Sequence, residues 1–137
     1  MLAIGEDNQT LHLTKGDITG KYHRLAFHYP VYNFETKKEE DYVFQPSDKI
    51  SFVVVEKKGY TKPEVLRVEK TLAEMGYTEP TTTPEIQLSE EDTKVFPLTN
   101  KSKTYWYDLI LNDRTTMLGY DDEGAKRLIV YPEAEEE

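Results

Sequence analysis

Three histidines, His12, His23 and His28, are the residues of this 137-residue chain best suited to metal or proton chemistry near neutral pH. His12 and His28 fall on the polar faces of two alternating segments, 9–14 and 22–29, that could pair as strands. A metal site built on them needs a carboxylate or a third imidazole alongside, and the local sequence shows none, so they read as surface or cross-strand histidines. Asp121-Asp122-Glu123-Gly124 has calcium-binding residue types. An EF-hand loop, however, spaces its acids at alternate positions around a central glycine with a late glutamate, and contiguous acids before a glycine read instead as an acidic hairpin turn. Asp92 and Asp108 could be imagined as the carboxylate pair of a glycosidase, but such a pair needs a long groove and the chain has no long loops to build one. Asp108 is expected to bond backbone amides or to ion-pair on the outer face of its strand. No phosphate-binding loop, nucleophile elbow or dinucleotide fingerprint is present, and there is no cysteine. The sequence therefore predicts no enzyme activity, catalytic residue, cofactor or metal.

The residues with the clearest potential for recognition lie in segment 104–112. Tyr105, Tyr107, Leu109 and Leu111 alternate there with Trp106, Asp108, Ile110 and Asn112. If the tyrosines point outward, Tyr105 and Tyr107 form a binding stripe; if they point inward, Trp106 and Ile110 are the exposed pair. Either face presents large side chains that could seat a partner, which makes Tyr105, Trp106, Tyr107 and Ile110 the candidate interaction surface.

The elements that must position these residues are strands, because a period of two dominates the chain. Leu11 and Leu13 alternate with Thr10, His12 and Thr14; Leu25, Phe27 and Tyr29 alternate with Arg24, Ala26 and His28. Segment 49–55 carries apolar residues on both faces, as a central strand does. Segment 64–72 fits either a helical stripe or an edge strand, and its β-branched residues favour the strand. Segment 35–41 is so charged that it reads as a loop, whereas Gln45-Pro46-Ser47-Asp48 and Asn112-Asp113-Arg114-Thr115 read as turns. Ser89-Glu90-Glu91-Asp92 has the cap and the acidic first turn of a helix, which Pro97 stops. The expected fold is all-β: an antiparallel immunoglobulin-like sandwich of about seven strands with one short helix near 89–96.

Length fits one domain, placed at 1–132, and residues 133–137 read as an acidic, disordered tail. The net charge is −9, and leaving out the four glutamates of that tail brings it to −5. An acidic surface repels phosphate backbones, so nucleic acid is not an expected partner. The amino-terminal residues lack the basic start and long apolar run of a signal peptide, and no stretch is long and apolar enough to span a membrane as a helix. The absence of cysteine fits a reducing cytosol or a particle assembled in it.

Several segments in order carry a resemblance: Leu13-Thr14-Lys15-Gly16-Asp17, then Gln45-Pro46-Ser47-Asp48-Lys49-Ile50-Ser51-Phe52, then Ile86-Gln87-Leu88-Ser89-Glu90-Glu91-Asp92-Thr93. Tyr105-Trp106-Tyr107-Asp108-Leu109-Ile110-Leu111 and a closing Val130-Tyr131-Pro132-Glu133 follow. Together they resemble the immunoglobulin-like N-terminal domain of phage baseplate upper proteins, found in tails and prophages of Gram-positive bacteria. The resemblance implies a non-enzymatic structural protein of a tail or baseplate, assembled in the bacterial host cytoplasm and carried in the virion. Its implied partners are other tail or baseplate proteins, or copies of itself, with no nucleic acid or membrane. It supplies no catalytic residues. The chain departs from the family in two ways: an acidic tail stands where members often continue into a shaft, and Asn100-Lys101-Ser102-Lys103 replaces the glycine before the Tyr-x-Tyr-Asp strand. The tyrosine-rich strands also admit a carbohydrate- or cell-surface-binding β-sandwich as the alternative.

Overall fold

The computed structural model describes residues 2–6, 10–15, 22–57, 63–97, 101–118, 120–121 and 124–132. Among them the chain forms β1 (Leu2–Ile4), β2 (Leu11–Thr14), β3 (Tyr22–Ala26), β4 (Pro30–Asn33), β5 (Lys38–Asp41), β6 (Lys49–Val55) and β7 (Glu64–Thr71). These are followed by β8 (Glu85–Ser89), the helix α1 (Glu90–Thr93), β9 (Lys103–Leu111), β10 (Thr115–Leu118), β11 (Tyr120–Asp121) and β12 (Gly124–Tyr131). The protein is all-β, with the one short helix where its capping sequence placed it. The expected tail, 133–137, lies outside the described residues.

One large sheet runs β1-β2-β12-β9-β6-β7, with β10 added to β9 and β11 to β12; β3 pairs with β8, and β4 with β5, in two smaller sheets. The large sheet is mixed rather than purely antiparallel, because β12 runs parallel to β2, with Leu128 opposite Leu11 and Val130 opposite Leu13. β6 is central, with β7 on one side and β9 on the other. Its apolar residues on both faces follow from that position. The segment at 64–71 is a strand, as its β-branched residues suggest, and pairs along nearly its whole length with β6.

The core lies between the large sheet and the β3–β8 pair. Phe52, Tyr107, Leu109 and Leu128 from the large sheet join Ile86 and Leu88 from β8 in one buried cluster. Each such side chain contributes roughly 1.5–3 kcal/mol relative to leaving it in water. Phe52 and Tyr107 pack ring to ring at 5.7 Å, and Phe96 closes the end of the core against Tyr105 at 5.0 Å.

Two local signals act as expected. Ser89 caps α1 in a reciprocal box: its hydroxyl accepts from Asp92 N–H at 3.0 Å, and the Asp92 carboxylate accepts from Ser89 N–H at 2.9 Å. The helix spans only four residues, ending before Lys94, and i→i+3 bonds then turn the chain so that Phe96 enters the core. Asn112 and Asp113 both take positive φ, 51° and 62°, as a tight hairpin between right-twisted strands requires. Strands outnumber the seven expected, partly because the charged segment expected as a loop contributes β5, the second strand of a hairpin with β4.

Candidate interaction surface

β9 settles which of its two faces is inward. Tyr105 and Tyr107 are 2% and 1% exposed and belong to the core, so neither forms a surface stripe. The cause is the β3–β8 layer, which covers that side of the large sheet. Trp106, Asp108 and Ile110 take the outer face and are half-buried there. Trp106 stands opposite Val55 on β6 and Arg127 on β12, while Ile110 stands opposite Ser51 and Thr116. Of the four candidate residues, only Trp106 and Ile110 therefore reach a surface.

That outer face is largely closed by its own neighbours. Ser51, Val53 and Val55 of β6 are all buried, Ser51 completely. Beside Val53 on β7, Arg67 is held by Glu64, at 2.6 and 2.9 Å, and by Glu69, at 2.6 Å. These hydrogen bonds raise the guanidinium's pKa further. Asp108 lies opposite Val53, and neither its Oδ1 nor the Ser51 hydroxyl finds a hydrogen-bond partner. Burial pushes the Asp108 carboxyl up. The expected amide bonds or ion pair of Asp108 are thus not made at Oδ1.

The other titratable candidates are dispersed. His12 lies on the large sheet, where its Nδ1 is 2.8 Å from the Tyr131 hydroxyl and its ring stacks on Tyr131 at 5.7 Å. His23 is buried on β3, and His28, just beyond β3, has its Nδ1 2.8 Å from Asp41 Oδ1. β2 and β3 lie in different sheets and do not pair, so His12 on β2 and His28 beyond the end of β3 are not cross-strand neighbours. Asp92 is engaged in the helix cap, away from any pairing with Asp108. Asp121 lies opposite Gly124 in the β11–β12 pair; Asp122 and Glu123 lie outside the described residues. Among the described residues no group of three His, Asp or Glu side chains could hold a metal ion.

A second surface, which the sequence reading missed, is the β4–β5 hairpin. β4 and β5 pack chiefly on each other. At the tip, the Asn33 side-chain oxygen accepts from the backbone N–H groups of Glu35 and Thr36 at 2.9 and 3.4 Å. The Asn33 carbonyl accepts from Lys37 N–H at 2.8 Å, and Lys37 takes φ 58° to close the turn. Asn33 Nδ2 and the Thr36 hydroxyl then donate to the two oxygens of Glu40 at 3.1 and 3.0 Å. This polar network fixes the turn while leaving Phe34 84% and Tyr32 48% exposed, their rings edge-to-face at 4.9 Å.

The hairpin's base is anchored as firmly as its tip is open. An aromatic ladder descends from Tyr29 to Tyr42 (6.2 Å), to Phe44 (4.8 Å) and to Phe27 (5.8 Å), and Phe44 is completely buried. Asp48 secures the same base. It accepts from the Tyr42 hydroxyl at 3.0 Å, Gln45 N–H at 2.8 Å and Asn112 Nδ2 at 2.9 Å. Asn112 in turn bonds the backbone of Lys49 in both directions. Burial alone would raise the Asp48 carboxyl, but the bonds from Asn112, Gln45 and Tyr42 outweigh it and hold the group below the usual carboxylate range.

Two hollows, of about 20 and about 10 Å³, lie beside Met75 and Gln87 and beside Phe96 and Pro132. Each has room for a water or so, far below the few hundred Å³ of a small-molecule site. In comparisons with protein-family models, curated proteins and solved structures, nothing matches the chain.

Proposed function

We propose that the chain is a non-enzymatic structural module of a phage or prophage tail or baseplate, working through protein–protein contacts. The observation that carries this reading is where the resembling segments fall. Their described residues fall in β2, the turn into β6, β8 with the α1 cap, β9 and the end of β12, elements that supply core side chains. The finer fold assignment, an immunoglobulin-like sandwich, goes with it. In that arrangement β6, β9 and β12 take the places of strands C, F and G, with β7 as C′, and β3 and β8 as B and E facing them. The parallel β2 at the β12 edge fits the same scheme.

The carbohydrate-binding alternative loses Tyr105 and Tyr107, which are core residues and offer sugars no platform, and keeps only Trp106 of that strand's aromatics at a surface. Quantitative mass spectrometry of purified tail particles, from cells carrying the gene within its own cluster, tests the proposal. The protein should be present at a fixed ratio to the other tail proteins. Its absence from particles would overturn the tail assignment.

A further inference from the structure

We infer that the β4–β5 hairpin is the docking element of this module, and that it inserts Phe34, flanked by Tyr32, into an apolar pocket with a basic rim on a partner protein. The inference rests on the protein-contact part of the function proposed above and assigns it a surface.

Exposure is the first argument. Phe34 is the most exposed large apolar side chain among the described residues, and Tyr32, whose ring meets it edge-to-face, is exposed beside it. A contiguous apolar patch held in water marks an interaction site more often than a scattered apolar residue does. Order is the second. The Asn33–Glu40–Thr36 network closes the turn, and the Tyr29–Tyr42–Phe44 ladder ties the base to the core. The aromatic pair is therefore presented on a preorganised arm, and binding through it immobilises few additional groups.

Charge identifies the occupant. Cross-strand partners share a face, so Tyr32 has Glu39 beside it and Pro30 has Asp41, while Glu35 follows Phe34 in the chain. The hairpin 30–41 holds four carboxylates against two lysines, Lys37 and Lys38, and so is net acidic at −2 within a chain of net charge −9. Lys and Arg around an apolar pocket would complement it. A second copy of the same acidic arm would be repelled. Strand addition to the hairpin's edge is disfavoured too: Pro30 has no N–H to offer, and β5 consists of Lys-Glu-Glu-Asp.

The test places a photoreactive benzoylphenylalanine at position 34 or, separately, at position 110 of the full chain, in cells that natively carry the gene. The expected result is an adduct at 34 at least tenfold more abundant than at 110, mapping to one segment of one partner with Lys or Arg beside apolar residues. With that partner purified, Phe34→Ala should raise Kd at least tenfold. Glu39→Lys should weaken binding at low salt and less at high salt, and both variants should melt with the parent. No adduct at 34, equal adducts at the two positions, or adducts on a second copy or on acidic segments would overturn the inference. So would unchanged Kd for Phe34→Ala. A qualifying partner that is not a tail protein would remove the tail assignment and leave the hairpin as the docking element.

Discussion

The β4–β5 hairpin and the outer face of β9 both carry large apolar side chains outside the main core, and they treat them in opposite ways. On the hairpin, a local polar network satisfies the turn and leaves Phe34 and Tyr32 in water. On the β9 face, Ser51, Val53 and Val55 of the adjoining β6 are buried, and burial there extends to polar atoms of Ser51 and Asp108 without a partner. A buried polar group left unpaired costs about 1–3 kcal/mol, so the β9 face carries a local cost that the hairpin does not. The difference shows that aromatic content alone does not identify a contact surface. What matters is whether the polar scaffold beneath it is complete.

The largest expected effect tests the anchoring of the hairpin. Phe44→Ala removes the ring joining the ladder to the core and should cost about 3–5 kcal/mol in chemical denaturation, as large-to-small changes of buried phenylalanine do. A loss under about 1 kcal/mol would mean that the hairpin base is not built on the core.

Next comes the contrast between two aspartates. Asp48→Ala leaves the Tyr42 hydroxyl, Gln45 N–H and Asn112 amide without their acceptor and should cost about 2–3 kcal/mol. Because the folded pKa of Asp48 is depressed, its stabilising contribution is present above the unfolded value of about 3.8 and is lost as pH falls through the folded value. Asp108 has the opposite sign. Its folded pKa is raised, so its favourable, protonated state is present below about 3.8 and is lost as pH rises through the folded value. Asp108→Val, which matches Val53 across the sheet, should therefore stabilise the protein at neutral pH by about 1 kcal/mol and flatten that part of the stability–pH curve. A destabilised Asp108→Val variant would show that the carboxylate has a partner or a role on that face.

The smallest effect on stability belongs to the most exposed large apolar residue among those described. Phe34→Ala should change unfolding free energy by less than about 0.5 kcal/mol, as substitutions at open surface positions do. A larger loss would mean that the ring packs against the body and is not an arm held in solvent.

Much of the fold was legible in local pattern. The alternation at 104–112, the apolar run at 49–55 and the Ser89 cap each specify an element through near neighbours in sequence. What alternation could not give was the inward face of β9, because that depends on β3 and β8, which are remote from it in sequence. The parallel β2–β12 contact joins the two ends of the chain and leaves no local trace. The hairpin was missed because Lys-Glu-Glu-Asp has poor strand propensity. Its signal lay in Asn33, whose side chain organises the turn, and in the alternation of Pro30, Tyr32 and Phe34 on one face.

The most direct test is incorporation into assembled particles. Tail particles would be purified from cells expressing the wild type, a Tyr32→Ala/Phe34→Ala variant or an Ile110→Ala variant, and the chain quantified in each by mass spectrometry. Wild type and Ile110→Ala should be incorporated alike, and the hairpin variant should fall at least tenfold while melting with the parent. Equal incorporation of the hairpin variant, or loss confined to Ile110→Ala, would contradict the account.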